Sequence, residues 1–81
     1  MTADQLIDLL VARLLRDHGG QKHKWRKIVG PVQIYARQTH PHCNWAIHPV
    51  GSVAEIEMVE QLADEVRLSR PFVADIRKPL A

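Results

Sequence analysis

A chain of 81 residues with a single cysteine and a net charge of +2 is one small domain that no internal disulfide can staple. A domain of this size buries only about 60% of the surface its unfolded chain exposes, so self-association is a natural source of extra stability. No apolar run approaches the ~18 residues of a membrane span, the N-terminus does not resemble a signal peptide, and a lone thiol suits a reducing cytosol, so a cytoplasmic protein is expected.

Residues 3–18 read as a helix. Leu6, Ile7, Leu10, Val11 and Leu14 recur at helical spacing, with Leu9 and Leu15 broadening the stripe. Thr2 and Gln5 form a capping box, Asp4 and Asp8 sit at the end the macrodipole favours for acids, and Gly19-Gly20 supplies the stop. The segment Lys24-Trp25-Arg26-Lys27-Ile28-Val29 reads as an optional third strand, cut from the next by Gly30-Pro31. After it the period changes to two. Val32, Ile34 and Ala36 alternate with Gln33, Tyr35 and Arg37, and Cys43, Trp45 and Ile47 alternate with Asn44, Ala46 and His48. These predict two antiparallel strands joined by a loop at 38–42. A second helix opens on Ser52 and Glu55 as a capping box, runs along Ile56, Val59, Leu62, Ala63 and Val66, and ends before Pro71.

The expected fold is α+β: a small antiparallel sheet of two or three strands with two helices packed on one face, in the order α-β-β-α or α-β-β-β-α. Residues 1–73 form the domain and 74–81 a C-terminal tail, with Phe72, Val73 and Ile76 as packing residues before a polar Arg77-Lys78-Pro79 end.

Charge is unevenly spread. Arg13, Arg16, Lys22, Lys24, Arg26, Lys27 and Arg37 face a single acid, Asp17, over residues 13–37; Glu55, Glu57, Glu60, Asp64 and Glu65 follow one another with no base among them. Such asymmetry suits a polyanion-facing side or a charge match between two copies; two solvated faces would look the same. If the apolar strand residues face the helices, Gln33, Tyr35, Arg37, Asn44 and His48 occupy the open face of the sheet. Tyrosine stacks on bases, arginine meets phosphate and asparagine reads a base edge. The predicted nucleic-acid surface is therefore Lys22, Lys24, Trp25, Arg26, Lys27, Tyr35, Arg37, Asn44 and His48, contacting RNA or DNA without a cofactor. Trp45 reads as a core anchor, Trp25 as half exposed, and Met58 as lying off the apolar stripe of the second helix. That helix, with its acidic face, marks the alternative function: a protein-interaction or homodimerisation domain.

The stretch His40-Pro41-His42-Cys43, with His48 beyond, raises two further chemistries. His40, His42 and His48 are candidate metal ligands, although their spacing matches no paired Cys/His site. His42 or His48 beside Tyr35 and Arg37 has the makings of an acid–base pair next to a phosphate-binding cation. In layout alone, an α-β-β-β-α order resembles small bacterial ribonuclease toxins, which use a histidine on the sheet for metal-free RNA cleavage. No motif here carries that resemblance, so it assigns no residue.

Overall fold

The computed structural model describes residues 1–74, in the order α1 (Ala3–His18), α2 (Lys22–Val29), β1 (Val32–Ile34), β2 (Trp45–Ile47) and α3 (Val53–Ser69). Ile76 and the Arg77-Lys78-Pro79 end lie outside the described residues. The fold is α+β, with three helices and a two-stranded antiparallel sheet.

The two long helices form where local chemistry directs. Thr2 accepts from the Gln5 amide while the Gln5 side chain accepts from the Thr2 amide, and Ser52 and Glu55 repeat this at α3. Each box satisfies two donors that a helix start leaves unpaired. Leu6, Leu10, Val11 and Leu14 of α1 and Val59, Leu62, Ala63 and Val66 of α3 are buried. They form one cluster with Trp25, Ile28, Val29, Trp45, Ile47 and Val73, and α1 touches α2, α3 and β1. Met58 packs partly buried against this cluster rather than standing off it.

The basic segment is the main departure from expectation. It is not a strand: Lys22–Val29 is helical, and Trp25, Ile28 and Val29 are its buried positions. Those three recur at i, i+3 and i+4, one face of a helix, and a strand would have split them between two faces. The order is therefore α-α-β-β-α, which removes the layout on which the ribonuclease-toxin resemblance rested.

The sheet is short. Val32 faces Ile47, Gln33 faces Ala46, and Ile34 faces Trp45. One further bond, from the Tyr35 amide to Asn44 O at 2.7 Å, extends the pairing before the loop takes over. There the Ala36 carbonyl accepts from the amides of Thr39 and His40 and from the Thr39 hydroxyl, which ends the ladder earlier than alternation suggests. Beyond α3 the chain folds back. The amide of Asn44 donates to Pro71 O, and the amide of Ala74 donates to Met1 O, beside a parallel bridge between Thr2 and Ala74.

Candidate functional site

Two surfaces carry the residues that sequence singled out. The first is the solvent face of α2. Burying Trp25, Ile28 and Val29 turns Lys22, His23, Arg26 and Lys27 outward as two adjacent i,i+4 rows, with Lys24 at the margin. The helix is seated through Trp25, whose Nε1 donates to Gly19 O at 2.7 Å. Trp25 is only 7% exposed, so the expectation of a half-exposed stacking residue is corrected: it is an anchor.

Part of the charge asymmetry is met within the fold. Lys24 Nζ lies 3.6 Å from Glu55 of α3, Arg26 pairs with Asp8 of α1, and Arg13 of α1 pairs with Glu65 of α3 at 2.8 Å. These three pairs tie the three helices to one another. Lys22, His23 and Lys27 join no ion pair among the described residues. His23 joins this surface through its i,i+4 spacing to Lys27, a signal visible only once the segment is helical.

Glu55 is held below the ordinary carboxylate range, first by the backbone amide of Ser52, then by the Ser52 hydroxyl and Lys24, against an opposing desolvation. Arg13 is pushed above its usual value by its bond to Glu65.

The second surface is the hairpin. Gln33 is its hub: its side-chain Oε1 accepts from the Tyr35 hydroxyl at 2.8 Å and lies 3.3 Å from His48 Nε2. The Tyr35 ring stacks on His40 at 4.3 Å, and His40 Nδ1 lies 2.9 Å from the Thr39 hydroxyl. The Arg37 guanidinium stands 4.3 Å from the Phe72 ring centre. Gln33, Tyr35, His40 and His48 therefore gather, whereas His42 is exposed and shares none of these contacts. Among the described residues no group of three His, Cys, Asp or Glu side chains comes together to hold a metal.

Asn44 does not belong to the open face. It is 4% exposed, and its side chain both donates to Val73 O and accepts from the Val73 amide, each at 2.8 Å. It closes the returning chain onto the hairpin instead of reading a base. Trp45 acts as expected, buried with its Nε1 donating to Arg70 O at 2.8 Å and Arg67 over its ring.

An open groove of about 320 Å³ runs along β1, lined by Val32, Gln33, Ile34 and Tyr35. Successive strand residues point to opposite faces, so a groove lined by four in a row lies on the strand's outer edge. No helix among the described residues is long and apolar enough to cross a membrane. Comparisons with protein-family models, with curated proteins and with solved structures return no match for this chain.

Proposed function

We propose that the protein binds nucleic acid through the solvent face of α2. The observation that carries this reading is a helix with no acidic residue whose outward rows are Lys22–Arg26 and His23–Lys27, seated on the core by Trp25. Two features support it. First, α1 and α2 are joined by the three residues Gly19, Gly20 and Gln21, the length and glycine content of the turn in helix-turn-helix units, where the second helix meets the major groove. A major groove about 12 Å wide admits an α-helix. Second, Lys22 and Lys27 are not committed to acids within the described fold, and the exposed pair of Arg26 with Asp8 is of a kind that exchanges readily for phosphate.

The preferred partner is duplex DNA, with Lys22, Arg26 and Lys27 on phosphates. Three such contacts give a salt slope near −2.7, so affinity falls roughly 40-fold between about 50 and 200 mM salt. Titrating the whole protein with duplex DNA, duplex RNA and single strands at both salt levels tests this. The double variant Lys22→Glu/Lys27→Glu abolishes the binding. Absence of binding at the lower salt overturns the reading.

A further inference from the structure

The outer edge of β1 has a groove beside it, and its outward backbone groups are complete. The Tyr35 amide donates to Asn44 O, so the groups of Gln33 and Tyr35 point toward β2. By the alternation of an antiparallel ladder, the N–H and C=O of Val32 and Ile34 point the other way, into the groove. Neither residue donates or accepts a hydrogen bond elsewhere among the described residues. Pro31, which has no N–H, falls in the same parity as Gln33, so its missing donor does not interrupt this edge.

Natural sheets usually defend such an edge with a charge, a bulge or a proline within the strand. Val32-Gln33-Ile34 has none of these. We propose that β1 pairs antiparallel with β1 of a second copy, about a two-fold axis through Gln33, making a continuous four-stranded sheet in the order β2-β1-β1-β2.

The register follows from the free groups. Centring the axis on Gln33 sets Val32 of one copy against Ile34 of the other, and each such pair exchanges two N–H···O bonds. The four bonds use every free donor and acceptor of both edges. A foreign strand could also fill the groove, but its register would rest on its own side chains; the two-fold pairing is complete with this chain alone. Val32 and Ile34 lie on the face of Ile47 and Trp45 and remain partly exposed in the single copy. Across the axis they extend that apolar row. The strand is uncharged, so no like charges meet. A two-stranded sheet of three-residue strands is also the least self-sufficient part of the fold, which gives the second copy something to stabilise.

The test exploits Gln33, exposed in the single copy and set opposite itself in the pair. Oligomeric state is measured by light scattering and sedimentation over a concentration series, without nucleic acid, so the outcome is independent of the α2 reading. The unaltered protein is expected to dimerise. Gln33→Glu alone and Gln33→Lys alone each place like charges across the axis and weaken the dimer roughly two- to five-fold at low salt. An equimolar mixture of the two variants regains it. The amides of Val32 and Ile34 slow their hydrogen exchange as concentration rises. A protein that stays monomeric up to millimolar concentration overturns the proposal and leaves the edge to an extended segment of another protein. A dimer that neither single variant weakens and whose Val32 and Ile34 amides stay unprotected overturns it equally, placing the contact elsewhere.

Discussion

Single residues carry more of this fold than their positions in the chain suggest, and Asn44 is the clearest case. Its amide side chain copies a backbone unit, pairing with both the N–H and the C=O of Val73 across 29 residues of sequence. Removing it leaves two backbone groups unpaired at a buried residue, each costing about 1–3 kcal/mol. Asn44→Ala is expected to destabilise the protein by about 2–4 kcal/mol in chemical denaturation, and a loss below about 0.5 kcal/mol would contradict this account. Asn44→Asp keeps the acceptor but loses the donor to Val73 O, so it falls in the same direction. Glu55 adds a pH dependence. Its carboxylate is favoured in the folded protein by the Ser52 amide, the Ser52 hydroxyl and Lys24. A folded-state pKa below the unfolded one means stability present above the unfolded value and lost as pH falls through the folded value. The advantage of the unaltered protein over Glu55→Gln is therefore full near neutrality and shrinks below about pH 4. Denaturation curves at a series of pH values for both proteins check it; a constant difference would rule the charged cap out.

At the scale of elements, the seating of α2 is the feature on which the proposed interface depends. Trp25 fixes it through the Gly19 carbonyl, and Gly20, at φ +95°, sits where an added Cβ would come within 3.3 Å of Trp25 Nε1. Trp25→Phe keeps most of the burial and loses one hydrogen bond, about 1 kcal/mol. Gly20→Ala forces a left-handed backbone on an L-residue, about 1–2 kcal/mol. Because both changes act on the same indole, the double variant is expected to cost less than the sum of the two, as thermal melts will show. The helices α1 and α3 were legible because a long apolar stripe and a capping box agree in each. The helix α2 was not, for physical reasons. It spans eight residues, its N-cap Gln21 makes no side-chain bond, and its three apolar residues, Trp25, Ile28 and Val29, cover too short a window to fix a period. The usable signal was Trp25, Ile28 and Val29 followed by Gly30. Strand pairing and the core role of Trp45 were legible from alternation alone. Asn44 was not, because alternation assigns a face but says nothing of a segment arriving from 29 residues downstream.

For the whole molecule, part of the uneven charge is paired between helices. Pairs from Arg13 to Glu65, Lys24 to Glu55 and Arg26 to Asp8 join α1, α2 and α3. They are partly or wholly exposed, and pairs of this kind contribute little to stability and are screened by salt. Folding and binding should therefore respond to salt very differently. The core of Leu6, Leu10, Val29, Val59 and Val73 holds the fold and does not depend on ionic strength. The proposed phosphate contacts through Lys22, Arg26 and Lys27 would depend on it steeply. Raising salt from about 50 to 500 mM is expected to move the melting temperature by no more than about 5 °C while removing nucleic-acid binding. The same separation makes Lys22→Glu/Lys27→Glu informative. Both side chains stand in solvent outside the ion pairs of the described fold, so the variant should melt within about 5 °C of the unaltered protein while losing its affinity. A drop of more than about 10 °C would mean that these lysines hold α2 in place, and the basic face would then be structural rather than a nucleic-acid surface.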